Sequence, residues 1–128
     1  MGPALPLLPA GSGDMALDTV QDYVNAARGY LQDKVAPYRY ADSVYLEALS
    51  FALLEAKRVR ADLFIGVATV PSYTANDTTA VSFEQVFRTA LPYYMAGHVQ
   101  MQDEEDTEDS RAAAFIARFN TVLLGGSA

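Results

Sequence analysis

Residues 103–109, Asp-Glu-Glu-Asp-Thr-Glu-Asp, place six acids in seven positions and run directly into the alanine-rich stretch "SRAAAFIARFNTVLLGG". Acids at that density could hold a divalent cation or supply an acid–base pair. A calcium loop starting at Asp103 needs glycine at its sixth position and glutamate at its twelfth, and this chain has Glu108 and Ala114 there. An acid–base pair needs one carboxyl raised in an apolar pocket, whereas adjacent acids on a loop stay hydrated and ionised. An irregular divalent-ion site remains as the chemical alternative. The structural reading is simpler: acids ahead of and inside a first helical turn are stabilised by the positive end of the helix dipole, by about 0.3–1 kcal/mol each.

His98 is the single histidine and the chain has no cysteine, so a nitrogen–sulfur zinc site cannot be assembled. The "GSG" at residues 11–13 lacks the flanking pattern of a nucleophile elbow, and the eight glycines never take the spacing of a phosphate-binding loop or a dinucleotide fingerprint. His98 is expected as a partly buried, hydrogen-bonded helix residue. No catalytic, metal-binding or cofactor-binding residue is assigned.

Tyrosine is the unusual residue, with eight copies against no tryptophan. Tyrosine presents an apolar ring and a polar tip, which suits protein–protein contacts as well as the edge of a core. Tyr38, Tyr40, Tyr73, Tyr93 and Tyr94 are the candidate contact residues.

The elements that position these groups read as mainly α: a four-helix bundle with a kinked third helix and a short extended or β segment near 63–81. A first helix is predicted over 18–33, N-capped by Asp18, with Val20, Tyr23, Val24, Ala27 and Leu31 on one face. Pro37 breaks the pattern. A second helix is predicted from Asp42, as N-cap, to about Arg60. Its stripe is Tyr45, Leu46, Leu49, Leu53, Ala56 and Val59, widened by Phe51 and Leu54 as if for contacts on two sides. Lys57, Arg58 and Arg60 crowd its last turn, where cations match the dipole; contact with nucleic acid is the alternative. From Leu63 to Val81 the helical period is lost, and a short strand, an extended loop or a hairpin closed by "TAVSF" fits. This segment is expected to project from the body.

Ser82 and Gln85 match a capping box for a third helix, with Val86, Phe87, Ala90, Leu91, Tyr94, Met95 and Val99 on its stripe. Pro92 is expected to kink or split that helix, and Gly97 to loosen its second half. A closing helix over 107–124 carries Ala112, Phe115, Ile116, Phe119, Val122 and Leu123 on its apolar face and stops at Gly125 and Gly126.

At 128 residues, 51% apolar and 20% charged, this is expected to be one globular domain over 15–124. Residues 1–14 are expected to be a proline-stiffened arm without the basic start of a signal peptide, and 125–128 a short tail. No apolar run has the length of a membrane span. The net charge of −7 opposes binding to nucleic-acid phosphates, and it would suit a surface that DNA passes without sticking.

The segment "TVQDYVNAARGYLQDKVAPYRYADSVYLEALSFALLEAKRVRADLF" resembles the amino-terminal half of head-to-tail adaptor (connector) proteins of tailed bacteriophages. The likeness rests on a first helix ending in Leu31-Gln32-Asp33, an aromatic-plus-acid entry to the second at Tyr40 and Asp42, and an aliphatic helix closing before Ala61-Asp62. The stretch "ALPYYMAGHVQMQDEEDTEDSRAAAFIARFNTVLLG" is similar to that family's last two helices. The linking segment is shorter than the β-rich insertion that relatives often carry. The resemblance implies a non-enzymatic structural protein of the virion neck. It would stand in a ring, usually dodecameric, of neighbouring adaptor copies beneath the portal protein, extending the DNA channel and docking the tail or nozzle protein. A small acidic helical-bundle inhibitor or regulatory binding protein is the alternative.

Overall fold

The computed structural model describes residues 17–102 and 109–125. Four helices occupy most of that length: α1 (Val20–Tyr30), α2 (Asp42–Val59), α3 (Ala90–Gln102) and α4 (Asp109–Gly125), with single 3-10 turns at Ala61–Phe64 and Gln85–Phe87. The expected mainly α, four-helix class is what the chain adopts. The arm 1–14, the acidic residues 103–108 and the tail beyond Gly125 lie outside the described residues.

α1 begins one residue later than the spacing predicts, and Thr19, not Asp18, is its N-cap. The reason is Asp22 three residues on: the Asp22 amide donates to Thr19 Oγ1 at 3.2 Å, and the Thr19 amide donates to Asp22 Oδ2 at 3.0 Å, which completes a capping box. Two further amides that a helix start leaves open, those of Val20 and Gln21, donate to the carbonyls of Thr79 and Asp77, both at 2.9 Å. Segment 77–81 is thereby pinned to the start of α1. Ala80 forms an isolated antiparallel bridge with Thr19, and Val81 is buried. This corrects the expectation that 63–81 projects. No strand forms among the described residues; the Asp77 and Thr79 carbonyls that a hairpin would use accept from the open amides of a helix start instead.

α1 ends in a tight reversal. Gln32 takes a left-handed conformation (φ 57°), and the amides of Gln32 and Asp33 donate back to the carbonyls of Gly29 and Arg28 at 3.2 and 2.8 Å. This is the Schellman pattern, with glutamine where glycine is the usual choice. It turns Asp33 back under the helix. The peptide between Ala36 and Pro37 is cis.

α3 is the central element and packs on each of the other three helices. Ala90, Leu91, Pro92, Met95, Ala96, Gly97, Val99 and Gln100 are all buried, so the helix is enclosed nearly all round. It starts at Ala90, not at a Ser82 cap. Pro92 therefore falls in the first turn, where no intrahelical acceptor is waiting for its missing N–H, and the division expected at the proline occurs just upstream of it. Gly97 is a contact point and not a loose joint. A Cβ built there would lie 2.8 Å from Ile116 Cδ1 and 3.0 Å from the Ala112 carbonyl, so the glycine lets α4 approach closely.

The core combines Val20, Tyr23, Val24 and Ala27 of α1 with Tyr45, Leu49, Leu53 and Ala56 of α2 and Leu91, Met95 and Val99 of α3. Phe119 and Leu123 of α4 complete it. Ala48 and Ala52 are buried as well, small residues that the stripe omitted. Phe51 and Leu54 remain substantially exposed, as does Val86, so the second contact side expected of α2 is not filled by the described residues. On α4, Phe119 is fully enclosed, while Phe115 is only half-buried and lies against Tyr30, ring centroids 5.8 Å apart. Phe119→Ala is expected to cost about 3–5 kcal/mol in a urea titration, and Phe115→Ala clearly less. Equal losses would mean α4 is rotated about its axis.

Candidate functional site

The most highly organised polar group in the molecule lies at the corner between α1 and α2. Arg28 falls between Val24 and Leu31 on the inner face of α1, and its guanidinium is 4% exposed. It meets the Asp33 carboxylate at 2.9 Å and the Asp42 carboxylate at 2.6 Å, and donates to the Tyr40 carbonyl at 3.1 Å. The rings of Tyr38 and Tyr45 lie against it, with centroids 4.0 and 4.6 Å from the guanidinium carbon. Asp33 is equally enclosed and also accepts from the Arg39 and Tyr40 amides at 2.6 and 3.1 Å and from the Tyr45 hydroxyl at 3.0 Å. Burial, followed by the Asp33 charge and hydrogen bond, pushes the Tyr45 hydroxyl's pKa well above the ordinary phenol value. The buried Arg28 and Asp33 are engaged by several neighbours each, so the corner reads as a fastening.

The five candidate tyrosines are not brought together. Tyr38 is 51% exposed and leans on Arg28. Tyr40 is half-buried, edge-on to Tyr45. Tyr73 packs on the core edge, and its hydroxyl accepts from the Ser82 amide at 3.4 Å. Tyr93 stacks on Tyr30 at 4.9 Å with rings 8° from parallel, under the Arg118 guanidinium. Burial, and then a hydrogen bond to Tyr93, pushes the Tyr30 pKa up to about 12; that same bond lowers Tyr93. Tyr94 packs between His98 and Phe119. Tyr38 is the one that presents most of its ring outward.

His98 lies half-buried on α3 between the rings of Phe51 (5.0 Å) and Tyr94 (5.8 Å), and its Nε2 has no hydrogen-bond partner among the described residues. The expected hydrogen-bonded histidine is thus half right: partly buried, but with one nitrogen held by ring contacts alone. Burial holds its pKa below the usual imidazole value, with the Glu47 charge opposing.

The basic end of α2 is tied into the fold. Arg58 pairs with Glu55 one turn back. Arg60 pairs with Asp62 at 2.8 Å, lies over the Phe87 ring and donates to the Leu123 carbonyl near the end of α4. No group of three acids, histidines or cysteines arranged to hold a metal occurs among the described residues, and the acidic run 103–108 falls outside them. No described helix is long and apolar enough to cross a membrane.

No family model, curated protein or solved structure matches this chain.

Several large apolar side chains stand exposed among the charged and polar surface residues. Val35 and Tyr38 stand exposed before α2, Phe51 and Leu54 along it, and Ile65 and Val67 after it. Val35, Ile65 and Val67 were not singled out from sequence. An isoleucine and two valines within turn-rich segments are the available signal; for Ile65 and Val67 the strand expectation for 63–81 accounts for it, and Val35 lies in the proline-broken stretch before α2. Arg28 was missed too, although an arginine midway along an apolar helical stripe calls for buried acids as partners.

Two outcomes follow. Removing either partner of the buried pair leaves the other charge enclosed, so Arg28→Ala and Asp33→Ala are each expected to cost about 3–5 kcal/mol by chemical denaturation, against no more than about 1 kcal/mol for the half-exposed Asp42→Ala. The lowered His98 pKa means the unfolded chain takes up its proton before the folded chain does. Its contribution is complete above about pH 6.5 and is lost as pH falls through the folded value. Wild type should therefore lose stability relative to His98→Gln between about pH 7 and 5. Parallel pH–stability curves would contradict the assigned burial.

Proposed function

We propose that the chain is a head-to-tail adaptor of tailed bacteriophages, a non-enzymatic subunit of a ring that joins the portal to the tail and extends the DNA channel. The observation that carries this reading is the apolar surface left open at both ends and along the outer face of α2. That helix is 18 residues long, about 27 Å. Val35 and Tyr38 flank its start, Ile65 and Val67 follow its end, and Phe51 and Leu54 stand between. A subunit gripped by neighbours on more than one side has use for apolar surface in several places; a chain working alone pays for it in solubility.

Two features support the reading. The residues that carry the resemblance, Leu31, Asp33, Tyr40 and Asp42, belong to the fastened corner, so the motif has a structural purpose that a scaffold subunit requires. The net charge of −7 suits a wall past which DNA slides, since like charges oppose adhesion. On this reading the partners are the portal protein, neighbouring copies and a tail or nozzle protein, and the location is the neck of the virion.

The test is co-purification with a phage portal protein, followed by mass measurement and electron microscopy of negatively stained particles. A ring stacked on the portal is expected. Leu54→Glu should leave the thermal melt within about 1 kcal/mol of wild type, because the side chain is half exposed, yet reduce ring occupancy severely. Virion necks lacking the polypeptide, or a one-to-one complex with an enzyme, would overturn the reading.

A further inference from the structure

Outside the helical core, a groove of about 600 Å³ opens beside the 3-10 turn that follows α2, a size typical of sites that hold a ligand or a short peptide. Its lining includes the apolar Leu63, Val67 and Pro71 and the aromatic Phe64, Tyr73 and Phe83, the Phe64 and Phe83 rings 5.8 Å apart, beside the polar Thr69, Ser82 and the exposed Gln85. Glu84 is the single ionisable carboxylate in the lining.

The chain upstream of the described body departs next to this groove. One guanidinium spans the two: Arg88 Nε donates to the Phe83 carbonyl at 3.0 Å, while its terminal nitrogen donates to the Leu17 carbonyl at 3.3 Å and pairs with Asp18 at 2.6 Å. Leu17, the first described residue, therefore sits within a side chain's width of a groove-lining residue. Sixteen residues precede it, and "PALPLLP" at 3–9 carries no charge, three leucines and three prolines. Proline-spaced apolar sequence is already biased towards the extended polyproline conformation, so little ordering entropy is lost when it docks, and aromatic-lined grooves are the surfaces that take it. At about 3.1 Å per residue, the ten residues separating Leu7 from Leu17 reach up to about 30 Å, more than the geometry requires.

We propose that residues 3–9 of the same chain occupy this groove, with Leu5, Leu7 and Leu8 set against Phe64, Phe83 and Tyr73. The proximity of the exit point favours the chain's own segment over a neighbour's. The inference rests on the groove, the exit and the segment's chemistry, and it is independent of the adaptor reading.

Because the chain has no cysteine, paired cysteines report the contact cleanly. In the full chain, Leu7→Cys with Gln85→Cys is oxidised at low protein concentration and compared, on non-reducing gels and by mass, with Leu7→Cys paired to Ser50→Cys on α2. Gln85 is exposed, so its substitution leaves the core untouched. The expected result is an intrachain disulfide that forms at least tenfold faster with position 85 than with position 50. Equal rates would overturn the proposal, and so would disulfide-linked dimers as the main product, which would assign the groove to a second copy. Replacing Leu7 and Leu8 by Asp should, in the full chain, shift the amide resonances of Val67 and Phe83; unchanged resonances would likewise overturn it.

Discussion

The enclosed contact between the Arg28 guanidinium and the Asp33 carboxylate is the constraint on which the arrangement of α1 and α2 depends. Moving two charges out of water is costly, and their attraction compensates only when the remaining donors and acceptors are also filled. Here they are filled by the Tyr40 carbonyl, the Asp42 carboxylate, the Tyr45 hydroxyl and two backbone amides. A planar donor fork flanked by two tyrosine rings is a geometry that lysine cannot reproduce. The left-handed Gln32 is part of the same device, because the reversal it permits turns Asp33 back towards Arg28. Helix end, loop and next helix start are thereby one structural unit, and the five tyrosines near it and beyond it are arranged around packing more than around any shared site.

With that corner fixed, α3 can be surrounded. It has almost no polar face because α1, α2 and α4 each cover a part of it. The outer surface of the body is then left mainly to the flanks of α1, α2 and α4 and to the loops, and most of the exposed apolar residues occur there, with Met101 near the end of α3 the exception. The segment after α2 closes the base by offering its Asp77 and Thr79 carbonyls as acceptors to the open amides at the start of α1. An irregular stretch with few hydrogen bonds of its own thus satisfies a helix terminus that would otherwise depend on water.

Much of this was legible in the amino-acid order. The faces of α1 and α2 were readable because both helices touch the core on one side only, and a one-sided burial leaves a 3.6-residue period. α3 betrayed less, since enclosure on all sides erases the period, and its true start was hidden by a Ser82–Gln85 pair that resembles a cap but leads only into a 3-10 turn. Asp18 and Thr19 both suit an N-cap by residue type, and the reciprocal bonds between Thr19 and Asp22 decide for Thr19. The 63–81 stretch was misjudged for a deeper reason. The partners of its 77–81 end lie at the start of the chain's first helix, and no local pattern announces a pairing across some sixty residues. Of the candidate contact residues, side-chain type was visible and exposure was not, so the tyrosines were picked out while Val35, Ile65 and Val67 passed unnoticed.

The spans over which the arginines reach differ widely, and that difference has a kinetic consequence. Arg28 bonds partners five to fourteen positions away, whereas Arg60, Arg88 and Arg111 bridge separations of 63, 70 and 81. Closing a short loop sacrifices less chain entropy than closing a long one. The corner can therefore take shape early, while the distant clasps wait for collapse to deliver their acceptors. Folding and unfolding rates measured for variants of Arg28 and of Arg88 would read that order directly: early consolidation slows refolding when disturbed, and late consolidation hastens unfolding instead.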